Sequence, residues 1–142
     1  MNRFTSALLL LFAALPAICH AAALDDSLTC KMSAHEFIGS LIDQQLIEPK
    51  PMHVEDNSIN AFWPAHGQQL SAYGFSVFAI VGFQQDDALF RTGSGKPLAR
   101  SAYGAVVVGS QTRVEAAVRA AGNPAIVYHA GPMLTAIFCK QD

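Results

Sequence analysis

Histidine is the residue type in this chain best suited to acid–base catalysis, but no sequence motif places one beside a nucleophile. The histidines outside the first 21 residues are His35, His53, His66 and His129. Residues 74–78 lack the second glycine of a G-x-S-x-G turn, and no S-x-x-K sequence occurs. We therefore predict no catalytic residue. The alternative is a small envelope hydrolase in which a histidine acts with serine or an acid, and two histidines meeting such groups in one cleft would favour it.

The sequence GSGK at residues 93–96 is close to the end of a phosphate-binding loop. Phe90 stands where that motif requires its first glycine, and Pro97 stands where it requires Ser or Thr. Without that hydroxyl the usual magnesium ligand is missing. The segment that follows the strand around Val107 also lacks the G-x-G-x-x-G of a dinucleotide site. The sequence therefore predicts no nucleotide and no other cofactor.

Two residues that alternate along one short predicted strand could contribute to a metal site. His53 and Glu55 would lie on the same strand face, and His66 or His129 would have to complete a zinc-type ligand set. No spacing comparable to H-E-x-x-H fixes such a site. We predict no metal.

Two loops have the composition of contact surfaces. Trp63 and His66 lie beside proline and glycine, which favours an amphipathic ring on a turn, a common anchor in protein interfaces. Arg91, Lys96 and Arg100 stand on a Gly- and Ser-rich background that we expect to be a mobile loop able to contact an acidic partner or a polysaccharide. These five residues are the predicted partner-binding set.

Two cysteines flank the predicted domain. Cys30 lies near its start and Cys139 near its end, and no C-x-x-C motif indicates a redox or metal role. In an oxidising compartment the simplest prediction is a disulfide between them, which ties the N- and C-terminal regions together. Cys19 lies in the segment that we predict to be removed.

The first 21 residues have the pattern of a cleaved secretory signal peptide. A positive charge at Arg3 precedes an apolar stretch, residues 7–17, and small residues follow it. Cleavage after Ala21 or after Ala23 satisfies the small-residue requirement, and we take Ala21. The apolar stretch is shorter than the about 20 residues that span a bilayer. We expect a periplasmic or secreted protein with no stable membrane insertion after cleavage.

The remaining residues, 22–142, have the length of one domain. The chain has 9 Lys and Arg against 11 Asp and Glu, for a net charge of −2 at pH 7. This balance lacks the basic character of proteins that bind nucleic acid or anionic membranes. Those partners are therefore not predicted, and the oligomeric state stays open.

Two helices are predicted from caps and spacing. Ser33 and Glu36 form a capping box ahead of a helical apolar pattern that ends before Pro49. Ser110 can cap a second helix over residues 111–121, which Gly122 ends.

Two short strands are predicted within residues 53–62, separated by a turn at residues 56–58. Five more are predicted at residues 71–84, 88–91, 102–109, 125–130 and 133–139. The first of these five is apolar on both faces and is expected to be central and buried, and a polar turn makes a hairpin with the second. The tetrapeptide SAYG opens the strand of residues 71–84 and overlaps the start of the strand of residues 102–109, which predicts two similar strand starts. The order predicts an α+β domain whose mainly antiparallel sheet, with a parallel pair allowed, carries both helices on one face.

These features favour a binding role over catalysis. Stabilising devices are plain and catalytic motifs are missing from the sequence, and small rigid exported domains often act through surface loops. We expect an interaction protein of the bacterial envelope, such as an inhibitor or immunity protein, whose partner is another protein. The alternatives are the small hydrolase and a carrier of a small apolar ligand bound under the sheet.

Overall fold

The structure is a computed structural model that describes residues 21–142, together with Ala14 and Pro16. The predicted signal peptide lies outside the described residues except for Ala14, Pro16 and Ala21. The elements are β1 (Ala22–Ala23), a 3-10 turn (Asp25–Leu28), α1 (Ala34–Asp43), β2 (His53–Val54), β3 (Asn60–Phe62), β4 (Leu70–Ala72), β5 (Phe75–Gln84), β6 (Ser101–Val108), α2 (Gln111–Ala120), β7 (Ile126–Gly131) and β8 (Leu134–Gln141). In the described part of the chain, neither helix has the length and apolar character needed to cross a bilayer.

The eight strands form one mixed sheet, in which six neighbouring strands follow the order β1-β4-β5-β6-β8-β7. One edge of β5 is shared: its first residues pair with β4, and residues 80–82 pair with β3, which also pairs with β2. Every pair is antiparallel except β1 with β4. The predicted α+β fold with a mainly antiparallel sheet is confirmed.

Helix α1 begins where four side chains accept hydrogen bonds from the amide groups of its first turn and its cap residue. Ser33 accepts a hydrogen bond from the Glu36 amide, and the Glu36 carboxylate accepts one from the Ser33 amide. From outside the helix, Ser101 of β6 accepts from the Ala34 amide, and Gln84 of β5 accepts from the next amide. The predicted capping box is confirmed, and these two contacts attach the helix to the sheet.

Helix α2 connects two strands that are not neighbours. It begins at the predicted cap Ser110 and ends before Gly122, whose φ of +70° reverses the chain. Strands β6 and β7 run in the same direction because each is antiparallel to β8, which lies between them. The parallel pair allowed for this unit is therefore not formed, because β8 lies between β6 and β7. The parallel pair observed in the described residues is β1 with β4.

The disulfide between Cys30 and Cys139 is confirmed. It joins the segment before α1 to β8, with the two Cα atoms 5.1 Å apart. Near it, the Asn123 side chain donates to the Leu28 carbonyl. This hydrogen bond links the N-terminal segment to the residues that follow α2.

Both helices cover the same face of the sheet, as predicted, and the opposite face is open. Tyr103 of β6 stacks on Phe37 of α1 with ring centroids 4.6 Å apart, and Val107 is fully buried on that side. Val106 and Val108 point the other way, and Val108 is 47% exposed. The expected burial on both faces holds for the middle of β5, where Ala79 and Val81 on the open face are 3% and 8% exposed. It does not hold at the end of β6, where Val108 is exposed.

Residues 85–100 form a loop, which confirms the loop predicted around Gly93 and Gly95, but the return strand predicted at residues 88–91 is wrong. Four backbone amides of this loop, at Arg91, Gly93, Gly95 and Leu98, donate to acceptors in residues 56–60 at 2.8 to 3.0 Å. The buried Asn60 side chain both accepts from Arg91 and donates to its carbonyl oxygen. The predicted hairpin does not form because backbone amides of this segment donate to side-chain and carbonyl oxygens in residues 56–60. No pattern within the segment indicates those acceptors.

The two SAYG copies have different structures. In the first copy Tyr73 and Gly74 have φ of +50° and +83° and form the tight turn between β4 and β5. In the second copy the residues lie within β6. Only the second copy is a strand start.

Candidate functional site

The open face of the sheet holds a groove of about 580 Å³, within the range of ligand pockets. Its floor is built from small side chains of the three central strands: Ala79 and Val81 of β5, Val106 of β6 and Ala136 of β8. The register places Val106 beside Ala136 and Ala79 beside Val106, so these residues form one row across the sheet. The groove exists because small residues stand in this row and larger ones surround it.

The walls of the groove are large apolar side chains that remain accessible to solvent. Met52, Phe78, Leu98 and Tyr128 are 37%, 41%, 39% and 41% exposed. They come from the segment before β2, from β5, from the loop of residues 85–100 and from β7. The groove is thus open to solvent along its walls.

The groove is part of a wider apolar surface. Among the described residues, the exposed large apolar side chains are Met52, Trp63, Phe78, Leu98, Val108, Ile126, Tyr128 and Met133. Four of them line the groove. The Trp63 ring packs edge-on against Phe78, 5.3 Å between centroids. Val108 and Ile126 each lie two residues along a strand from a groove residue and so share its face. Only Met133, in the turn between β7 and β8, lies at the margin.

The polar residues of the groove carry two carboxylates, one amide and two imidazoles. They are His53, Glu55, Asp56, Asn57 and His129. The His53 Nε2 lies 3.3 Å from the Glu55 Oε1, and both side chains are more than half exposed. Burial, together with the charge of Glu55, raises the pKa of the Tyr128 hydroxyl. Glu55 therefore acts electrostatically on the β7 side of the groove.

Two histidines and two carboxylates do meet in this groove, the arrangement set out above as favouring a hydrolase. The His53–Glu55 pair could accept a proton from water, but it is solvated. No serine, threonine or cysteine is among the described residues that line the groove. Within residues 21–142, no group of three or more His, Cys, Asp or Glu side chains is placed to hold a metal ion.

A second histidine–carboxylate contact lies away from the groove. His35 Nδ1 is 2.6 Å from Asp87 Oδ2, and Asp87 also accepts from the Leu89 amide. These contacts attach residues 85–100 to the start of α1. This histidine–carboxylate pair therefore has a structural role in holding the loop.

None of the five predicted partner-binding residues is among the described residues that line the groove, but Trp63 and the loop of residues 85–100 adjoin its walls. Trp63 follows β3 and contacts Phe78, a wall residue. Arg91, Lys96 and Arg100 are exposed on the loop attached at the other end of β3, and Leu98 of this loop forms another wall. The exposed His66 lies in the segment between β3 and β4, and no hydrogen bond or ion pair with the other four is observed in the described residues.

Sequence reasoning missed the groove itself. The signal was present, because a sheet that is apolar on both faces and carries both helices on one face must leave apolar residues uncovered. No family model, curated protein or solved structure matches the chain.

Proposed function

We propose that this protein is an exported interaction protein that binds a protein partner on the open face of its sheet. The observation that carries the proposal is the clustering on that face of seven exposed large apolar side chains, around a groove. Monomeric proteins rarely expose contiguous apolar patches beyond a few hundred Å² unless the patch is functional. An inhibitor or immunity protein of the bacterial envelope fits this description.

The shape of the surface favours a protein over a small molecule. Pockets for small ligands enclose roughly 70–90% of the ligand surface. Here the walls are themselves about two-fifths exposed, and the apolar surface continues past the groove to Trp63, Val108 and Ile126. A partner that covers both the groove and its surroundings would bury more of this surface than a small apolar ligand could.

The predicted loop residues complete the proposed surface. Trp63 extends the apolar area, and aromatic side chains of this kind are frequent energetic centres of interfaces. Arg91, Lys96 and Arg100, with His66, would form a polar margin, where charges mainly steer association. The hydrogen bonds between residues 85–100 and residues 56–60 hold that margin in place before binding, which reduces the ordering cost.

Export is part of the proposal, and the structure bears on where the leader would be cleaved. The Ala22 amide donates to the Gln69 carbonyl and the Leu24 amide to the Ser71 carbonyl, each at 2.8 Å. Cleavage after Ala23 would remove strand β1, whereas cleavage after Ala21 keeps it. We predict that protein recovered from the export compartment begins at Ala22, as measured by intact mass. A mature chain beginning at Leu24 would contradict this prediction.

Photo-crosslinking in the intact envelope tests the proposed surface. We expect p-benzoylphenylalanine at position 78 or 128 to give one discrete protein adduct, and the same group at position 115 of α2 to give none. Combining the probe at position 128 with Phe78→Ser should lower the adduct yield about tenfold or more, the scale expected when an aromatic interface anchor is lost.

The control substitution is Met133→Ser, because Met133 is 63% exposed but lies at the margin of the open face. It should leave the adduct yield within about twofold. Equal adducts from positions 115 and 128, or adducts at 78 and 128 made only with lipid or small molecules, would contradict a protein partner. Circular dichroism of each variant checks that its fold is retained.

A further inference from the structure

We propose that the groove binds a segment of the partner protein in which an apolar side chain lies beside a lysine or arginine. This inference rests on the proposed function and adds the chemistry of the bound segment. It follows from the combination of an apolar floor with a carboxylate-bearing rim that, among the described residues, contains no lysine or arginine.

Within the described residues, the lining of the groove includes acidic residues but no lysine or arginine. The acidic residues are Glu55 and Asp56. The basic residues of the neighbouring loop do not neutralise them: in residues 21–142, neither Arg91 nor Lys96 lies within ion-pair distance of either carboxylate.

The two carboxylates are held differently. Asp56 Oδ1 accepts from the Ser94 hydroxyl at 2.9 Å, which fastens the loop. Glu55 has one close side-chain partner, His53, and its side chain is 60% exposed. Glu55 therefore retains acceptor capacity for an incoming cation, while Asp56 adds negative potential nearby.

Glu55 lines the same groove as the apolar floor residues. Its negative charge contributes to the raised pKa of Tyr128, which lies across the groove on β7. Ala79, Val81 and Val106 line the same groove as Glu55, so a side chain seated on them would lie near this carboxylate. An ammonium or guanidinium group adjacent to that side chain would be attracted there, and a carboxylate would be repelled.

The aromatic walls favour the same kind of segment. Phe78 and Tyr128 are each 41% exposed, and their accessible surface can contact the methylene stem of a lysine or the plane of an arginine. An apolar residue beside a basic one would use the floor, the walls and the rim together.

Three short peptides test the charge preference directly. Each is acetylated and amidated, with leucine and phenylalanine alternating with lysine, glutamine or glutamate. Binding to the purified protein is measured by NMR shifts of the Val81, Val106 and Tyr128 resonances and by the fluorescence of Trp63, the one tryptophan of the chain. At low salt we expect the lysine peptide to bind about fivefold more tightly than the glutamine peptide, and the glutamate peptide to bind most weakly.

Glu55→Gln should remove most of the difference in affinity between the lysine and glutamine peptides. The matched control is Glu115→Gln on α2, a glutamate of similar exposure on the opposite side of the sheet, which should keep the preference. Equal binding of all three peptides in the groove would overturn the charge inference and leave the proposed surface standing. If no peptide shifts the groove resonances, both the inference and the proposed surface lose their support.

Discussion

Opening the Cys30–Cys139 disulfide should lower the free energy of unfolding by about 3–4 kcal/mol and the melting temperature by roughly 10–20 °C. The two cysteines are 109 residues apart in sequence, so the bond restricts nearly the whole unfolded chain. The chain-entropy model gives about 4–5 kcal/mol for such a loop, and native strain and residual structure reduce that figure. Urea denaturation of the oxidised and the reduced protein measures the difference.

Two variants separate the bond from the side chains that form it. Cys139 is 2% exposed and packs in the core, so Cys139→Ala avoids burying a hydroxyl, and Cys30→Ser suits the less buried position. The double variant should match the reduced protein within about 1 kcal/mol. An unfolding free energy that stays the same after complete reduction would show that the bond is dispensable for stability.

Helix positions were predictable because their determinants are local. Ser33 with Glu36, and Ser110 ahead of residues 111–120, satisfy amide groups within one turn of themselves. The last hairpin was also predictable, since two apolar runs flank a short turn at Gly131. In these regions the sequence pattern and the tertiary structure require the same local conformation.

The loop of residues 85–100 was not predictable, because what organises it is distant in sequence. Asn60 and Asp56 bind this loop from 31 to 39 residues away, and no spacing within the loop indicates them. The groove depends on this contact too, because it places Leu98 in the wall. Trp63 could be selected as a surface residue, but its contact with Phe78 required the pairing of β3 with β5.

The tetrapeptide SAYG shows why identical local sequences gave different outcomes. At Gly74 glycine is favoured by a positive φ in a tight turn, with open space around the missing side chain. At Gly104 the φ is ordinary for a strand, and glycine is required by the close approach of β8. Only the tertiary structure distinguishes these two reasons.

Gly104→Ala should therefore destabilise the protein by about 3 kcal/mol or more and impair binding at the groove. A Cβ atom at this position would overlap the Ile137 carbonyl oxygen and lie 3.0 Å from the Phe138 Cα. Both obstacles are backbone atoms, so no change of rotamer relieves the overlap, and β6 and β8 must separate. The next pair on the same face is Val106 with Ala136, which forms the floor of the groove.

The matched control is Gly131→Ala, where a Cβ atom would meet only the Leu134 side chain at 3.5 Å or more, an ordinary contact. It should change the unfolding free energy by less than about 1 kcal/mol and leave peptide shifts at Val106 intact. If Gly104→Ala were as stable as this control, the close approach of β6 and β8 would have to be relieved by a small backbone movement. If it were destabilised but bound the lysine peptide normally, the groove floor would tolerate the separation of these strands, and the geometry of recognition would depend on the walls alone.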